Sequence, residues 1–551
     1  MSDADRAARE LADRCWDQLL EREPLLGTEV GDERFDDRLP DPSEAGRTLA
    51  RQQNEAALAD LAAIDRAALS PVLRGTIDLL EAIARRQLAD LEHRTDRLAV
   101  VTHLWGPGQL LAEMGSLQRT DTRERLERYL ARLAAVPGYL AALPEIMREG
   151  IDSGVLAPSI VVDRAIAQVE RLLATPMDES PALAAIAHED ASGRERAAAI
   201  AGEAVMPAYE RYLTELRSYR SHATATIGLR DLPNGEAMYD AAILAWTTLP
   251  LPAREVHDLG LAELERIQEE RRESARRMGF EDAAAAIADL RASGTNEAAS
   301  REELLTIARK QVQRGWDAAP AFFGHLPSAN CEVRAVEEYR EADMPFAFYH
   351  GPTADGSRAG IYYVNTSDLP ERPLHQLATT TYHEANPGHH LQVTIEQELP
   401  DRPALRRFGG ILAGSAFVEG WGLYAERLAD EMGLYRNEAE RLGMLDMQAF
   451  RACRLVADTG IHALGWDRER AIAQMMESGL PRLEAEIEVD RYVTMPGQAL
   501  SYMVGMLEIR RARRDAEVQG GGAFDLRAFH DRVLALGSLP LPALRRELGL
   551  A

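Results

Sequence analysis

Thr381-Tyr-His-Glu-Ala-Asn-Pro-Gly-His-His-Leu-Gln392 is the most informative segment of the chain. It holds three of the chain's thirteen histidines, with Glu384 directly after His383 and a Pro-Gly pair at its centre. A second signature, Phe417-Val-Glu-Gly-Trp-Gly-Leu-Tyr-Ala-Glu426, follows on the next helical run. Two imidazoles and a downstream carboxylate are a zinc set that leaves the fourth coordination position open. A Glu beside the first His is where a metallohydrolase keeps its general base. The residues predict a helix-borne centre for one Zn2+ per chain, with Glu384 as base.

Residues four apart share a helix face, so the familiar zinc helix reads His-Glu-x-x-His. Here the interval is longer. His383 to His389 amounts to about 240° of rotation and about 9 Å of rise on a straight helix. His383 to His390 restores the rotation but rises about 10.5 Å, too far for zinc–nitrogen bonds of about 2.1 Å. Pro387 resolves the conflict. It lacks the N–H that would bond the His383 carbonyl, and its ring clashes there, so the helix breaks. Gly388 supplies backbone freedom for the turn. The pair acts as an insertion that returns a later His to the metal: His389 by preference, His390 as the alternative. Glu419 is the expected third ligand, ahead of Glu426, Asp430 and Glu431, because it sits among small and aromatic residues. A carboxylate buried there needs a cationic partner. Glu426 returns to the same helix face and reads as a partner for a liganding His.

Around this motif the pattern is helical. Apolar positions recur at helical spacing near 3–22, 44–64, 66–97, 121–149, 194–219, 253–279, 300–318, 404–432, 436–464 and 496–516, in runs rich in Ala, Leu, Glu and Arg. An Ala-rich stretch near 283–299 reads as a helix and loop. One region turns β-like: Cys331-Glu-Val-Arg-Ala-Val-Glu-Glu-Tyr339, Phe346-Ala-Phe-Tyr349 and Gly360-Ile-Tyr-Tyr-Val-Asn365. A small antiparallel sheet is expected there, with Gly360 to Asn365 as an edge that pairs with an extended peptide. Tyr363 and Asn365 are then substrate-binding candidates. Tyr502 is the first candidate to stabilise an oxyanion, with His462 and Tyr363 behind it. Arg491 is a candidate to hold a substrate carboxylate.

A net charge of -26, from 89 acidic against 63 basic residues, lacks the clustered basic face that a nucleic-acid partner needs. Cys15, Cys331 and Cys453 lie far apart, match no ligand spacing and suit a reducing compartment. The N-terminus has no basic start and apolar signal core. No run of about eighteen apolar residues is apparent. The expectation is a cytoplasmic protein with neither membrane nor nucleic acid as partner; a homodimer is left open.

The pattern His-Glu-Ala-x-Pro-Gly-His-His-Leu-Gln together with Glu-Gly-Trp resembles the bacterial domain-of-unknown-function 885 family. Tyr362-Tyr-Val-Asn365, Asp458-Thr-Gly-Ile-His462, Tyr492 with Gln498-Ala-Leu-Ser-Tyr502, and Glu23-Pro-Leu-Leu-Gly-Thr-Glu-Val-Gly31 fit too. The resemblance therefore covers nearly the whole chain. It implies a mostly helical, zincin-like enzyme, members of the family being regarded as candidate zinc peptidases. Phe417-Val-Glu419 and the Tyr-rich end are similar, more distantly, to thimet-oligopeptidase-type enzymes, which enclose a deep channel. The short zinc helix departs from theirs by the Pro-Gly insertion.

The expected architecture is a large, mainly α, zincin-like fold with a small sheet beside the metal helix and a deep cleft. Residues 1–325 form a helical part covering the cleft and 326–551 the catalytic part, the two making one continuous unit. The leading functional expectation is a zinc peptidase acting on short or unfolded peptides. The runner-up is a zinc amidohydrolase of one small metabolite; a third reading is a non-catalytic helical metal-binding protein.

Overall fold

The computed structural model describes residues 2–337, 341, 344–353, 358–399 and 401–550. Helices dominate, as the periodicity predicts. Those that position the site are, in chain order, α1 (Ala253–Arg277), α2 (Arg301–Ala318), α3 (Leu374–Glu384), α4 (His389–Gln397), α5 (Ala416–Glu431), α6 (Glu438–His462), α7 (Arg482–Thr494) and α8 (Ser501–Gly520). The strands are β1 (Cys331–Ala335), β2 (Ala347–His350) and β3 (Gly360–Val364).

Helix α6 is the axis of this arrangement. The Asn437 side chain caps it by accepting from the Glu440 N–H, and from Leu442 to His462 every residue but Met447 is buried. A helix enclosed on all sides must find partners for its polar groups in neighbouring elements. Arg271 of α1 donates to Asp446, the Tyr239 hydroxyl donates to Asp458, and His257 of α1 meets the Thr459 hydroxyl. Helices α5 and α8 cross almost backbone to backbone. A Cβ on Gly420 would come within 2.4 Å of the Gly505 carbonyl carbon, and one on Gly505 within 1.8 Å of the Ala416 oxygen. That contact carries Tyr502, one turn before Gly505, to the His383 ring.

The run read as one helix over 404–432 is divided into Ala404–Phe408, a short 3-10 turn Gly410–Ala413, and α5. Gly409, Gly410 and Gly414 cluster at the breaks. Glu419 consequently lies in the first turn of its own helix.

The sheet departs from expectation in two ways. It is mixed rather than antiparallel: β1 pairs parallel with β3, Cys331 opposite Gly360, and β2 pairs antiparallel with it, Ala347 opposite Val364. The order β1-β3-β2 also makes Gly360–Val364 the central strand, so it is not an edge open to a peptide. The physical sign is burial at all five positions of β3, where β1 and β2 are only partly covered. A continuous apolar run marks a strand enclosed on both faces. Residues 338 and 339 of the first β-like run lie outside the described residues.

The 325/326 division does not separate the packing. The largest core cluster takes Ala8, Leu20, Ile77 and Tyr239 together with Leu391, Trp421, Met503 and Leu548. A second cluster, from Val100 to Tyr219, belongs to the N-terminal part alone. Contrary to the expectation of no apolar run, one helix, Arg123–Ser153, is long and apolar enough by length and composition to cross a membrane. Leu126, Leu130, Leu133, Val136, Leu140 and Leu143 recur along its buried side in the second core. Its Arg132 is fully buried and donates to the carbonyls of Arg38 and Phe35. That is the environment of a core helix.

Candidate metal centre

The predicted break falls where Pro387 demands it. Helix α3 ends at Glu384, Ala385 leaves helical geometry at φ -103° and ψ -115°, and α4 restarts at His389. The Asn386–Pro387 peptide is cis. The Trp421 indole N–H donates to the Pro387 carbonyl at 3.0 Å, tying the turn to α5. Gly388 passes so close to α3 that a Cβ there would lie 1.9 Å from the His383 oxygen and 2.4 Å from that of Tyr382. The doubled-back chain sets His389 against His383, ring centroids 4.6 Å apart at 84°.

Glu419 closes the triangle. Its Oε2 lies 3.6 Å from His383 Nε2 and 3.5 Å from His389 Nε2. Tetrahedral ligands about 2.1 Å from zinc stand about 3.4 Å from one another. The Glu419 oxygen therefore stands at about that distance from both ring nitrogens, and these residues are the group among the described ones whose ligand atoms converge, all within 4.8 Å of one another. Behind the first imidazole, His383 Nδ1–H donates to Glu426 Oε1 at 2.8 Å, which orients the ring and leaves Nε2 for a metal. Gly422 lies beneath both rings: a Cβ there would meet His383 Nε2 at 2.8 Å and His389 Cε1 at 3.0 Å.

The electrostatics favour a cation. Burial alone would drive the proton from His383, yet hydrogen bonds to Glu419 and Glu426 raise it to about 10. Burial alone would likewise raise the Glu419 carboxyl, but His383 and His389 hold it well below its ordinary range. Metal-free His383 stays protonated up to pH about 10, and a metal must displace that proton from Nε2. Apparent zinc affinity should rise about tenfold per pH unit between pH 6 and 8, with about one proton released per ion from this ring. Calorimetry in two buffers of different ionisation enthalpy counts that proton; no pH dependence would remove His383 from the ligand set.

The other candidates divide cleanly. His390 is not brought to the ligand set. Its Nε2–H donates to the Ala329 carbonyl at 3.0 Å and its Nδ1 accepts from the Tyr349 hydroxyl at 2.9 Å. Burial lowers this ring to about 4, so it is a neutral structural histidine. His462 is engaged in the same way: Nδ1 accepts from the Leu229 N–H and Nε2–H donates to the Tyr492 carbonyl, with burial again lowering the ring to about 4. It joins segments and leaves no nitrogen for chemistry. Asn365 is fully used in structural bonds, donating to the carbonyls of Glu341 and Met344 and accepting from Ser367 in its own turn. Tyr363 stacks on Phe348 in a cluster with Val336 and Ile361. Strand alternation puts it on the face opposite Tyr362, whose hydroxyl meets Thr381 of α3. The two substrate-binding assignments in β3 and its turn therefore do not meet the metal helix.

Tyr502 does. Its ring stacks on His383 at 6.4 Å between centroids and 22° between planes. Arg491 donates to its hydroxyl oxygen at 3.3 Å and to Gln498 at 2.8 Å. Glu384 ends α3 half-buried and stands outside the converging set. Gly422, Arg451 and Arg454 are additions that the motif reading missed. The signal for the arginines was available: two, three residues apart, in a helix otherwise apolar enough to be buried.

Fold and site together define a mainly helical protein with a His-His-Glu cluster beside a small mixed sheet. The chain belongs to the family described as "Bacterial protein of unknown function (DUF885)", whose profile matches residues 24–548. No curated protein matches it. A crystal structure of a candidate lipoprotein from Colwellia psychrerythraea is similar over 99% of this chain and 98% of its own, at 26% identity and a TM-score of 0.92. A candidate lipoprotein of unknown function from Shewanella oneidensis is similar over 97% of this chain and 98% of its own, at 22% identity and a TM-score of 0.75. The second likeness speaks for the fold alone.

Proposed function

We propose that the protein is a zinc-dependent hydrolase of amide bonds that acts on short or unfolded peptides. The observation that carries this reading is the convergence of His383, His389 and Glu419, the carboxylate oxygen 3.6 and 3.5 Å from the two ring nitrogens, with Glu384 next to the first of them. When bound, zinc supplies a Lewis acid for the substrate carbonyl and lowers the pKa of a water towards neutrality. Glu384 takes the proton from that water and passes it to the leaving amine. Glu426 keeps the His383 ring in the tautomer that presents Nε2. The Tyr502 oxygen accepts from Arg491, so its own hydroxyl hydrogen remains to be donated to the oxyanion that forms at the carbonyl. A His-Glu helix beside a small sheet also supports a zincin-like assignment, in which residues 1–325 cover a deep cleft over the catalytic part 326–551.

The test is a panel of peptides and acylated amino acids offered to zinc-loaded and chelated protein. Cleavage that disappears on chelation and returns with zinc is the expected result. Cleavage of acylated amino acids but no peptide would assign the small-metabolite amidohydrolase instead. Bound zinc with no cleavage at all would leave a metal-binding protein. For location, the free cysteines Cys15, Cys331 and Cys453 favour the cytoplasm, whereas the name of the similar Colwellia psychrerythraea protein favours a membrane site. Fractionation of cells producing the protein decides between them.

A further inference from the structure

Three guanidiniums surround Tyr502 in a chain whose net charge is -26. Arg454 lies over the Tyr502 ring at 4.5 Å and Arg451 at 5.8 Å, while Arg491 donates to the hydroxyl. Side chains of Arg454 and Arg451 are only 4% and 9% exposed, and that of Arg491 is 25% exposed. Their countercharges are few. Glu488 lies 3.0 Å from Arg454 and 3.7 Å from Arg491. Glu426 lies 3.9 Å from Arg451 but is already bonded to His383 and Gln448. Three positive charges thus share two carboxylates, one of which serves the metal ligand. The Nε–H groups of all three arginines, and Nη1 of Arg454, are buried without a hydrogen-bond partner among the described residues. Buried charged donors left unpaired are costly, and a planar carboxylate is the group a guanidinium fork fits best.

We propose that this cluster recognises a carboxylate on the substrate, adjacent to the amide that is cleaved. The inference rests on the hydrolase reading and narrows it. One Tyr ring separates the arginines from the liganding His383. Arg454 to the Tyr502 ring and that ring to His383 together span at most about 11 Å, so at about 3.3–3.6 Å per extended residue an acid held there belongs within about three residues of a carbonyl held at the metal. The favoured substrates are therefore N-acyl amino acids, dipeptides or the last residues of a peptide. A free chain end and an acidic side chain offer the same group, and the substrates below separate them.

The experiment compares acetyl-Ala-Leu, acetyl-Ala-Leu-amide and acetyl-Ala-Glu-amide on the zinc-loaded full chain. The free acid should be cleaved about 10–100-fold more efficiently than its amide, the worth of one or two charge-assisted hydrogen bonds, with the difference mainly in KM. Arg491→Gln, at the most accessible of the three arginines, should shrink that ratio, and Arg491→Lys should restore part of it. Preference for the glutamyl amide would assign the carboxylate to a side chain. Equal rates on acid and amide would overturn the inference and leave the hydrolase reading standing. A second measurement holds where no substrate is cleaved: calorimetric titration of N-acetyl-leucine against N-acetyl-leucine amide, with and without zinc. Tighter binding of the acid, weakened by Arg491→Gln or Arg454→Gln, supports the cluster; equal binding of acid and amide sinks it.

Discussion

Glu384→Gln is expected to keep one zinc per chain and to lose amide hydrolysis by about 10²–10⁴-fold, the usual contribution of a positioned general base. The two halves of that result come from different features. Zinc is retained because the converging set is His383, His389 and Glu419, and Glu384 is not in it. The charge of Glu384 does act on His383, so the Gln variant should bind zinc somewhat more weakly, but not fail to bind. Hydrolysis is lost because a carboxamide of the same shape cannot accept the water's proton. Metal analysis and steady-state rates on one preparation check both halves. If zinc disappears with Glu384, that residue is a ligand and the base must be sought elsewhere. If the rate survives, the proton goes to another group.

Gly388→Ala should abolish stoichiometric zinc binding. The new Cβ would meet two backbone oxygens, at 1.9 Å from His383 and 2.4 Å from Tyr382, and neither belongs to a flexible side chain that can swing away. Either α4 shifts outward or the end of α3 unwinds, and both movements part His389 from His383. Overpacking of this kind costs about 1–3 kcal/mol of stability, so the thermal midpoint should fall as well. Gly422→Ala is the informative comparison. Its Cβ presses on the imidazole rings rather than on backbone. It should weaken zinc binding with less loss of stability. Full zinc occupancy in Gly388→Ala would mean that the turn tolerates a side chain and that the close approach does not set the ligand geometry.

Much of this site was legible because the chemistry is local in the chain. His383, Glu384, the Pro-Gly break and His389 lie within one short stretch, and a proline without an N–H cannot continue a helix past the His383 carbonyl. Glu419 stood out as a carboxylate among small and aromatic neighbours, and Glu426 by its return to the same face. The sheet was legible only as a set of β-like runs. Parallel or antiparallel pairing depends on the path between strands, and Gly360–Val364 became central because β1 and β2 close on it from both sides. His462 and Asn365 looked functional as polar residues in notable motifs. Their partners, Leu229 with Tyr492 and Glu341 with Met344, come from segments that no motif connects to them.

The sequence alone was enough for a mainly helical chain, a proline-broken helix rich in histidine, and the residue types of the candidate ligand cluster. Helical periodicity, a missing amide hydrogen and an isolated buried carboxylate are properties of neighbours along the chain. Long-range packing selected the imidazole that joins His383 and Glu419, since His389 and His390 are adjacent and differ only in what surrounds them. His389 turns to Glu419, while His390 is held by Ala329 and Tyr349. It likewise gathered Arg451, Arg454 and Arg491 around Tyr502. Distances across a fold depend on which helices pack together, and here the Gly420–Gly505 crossing of α5 and α8 brings Tyr502 within stacking distance of His383.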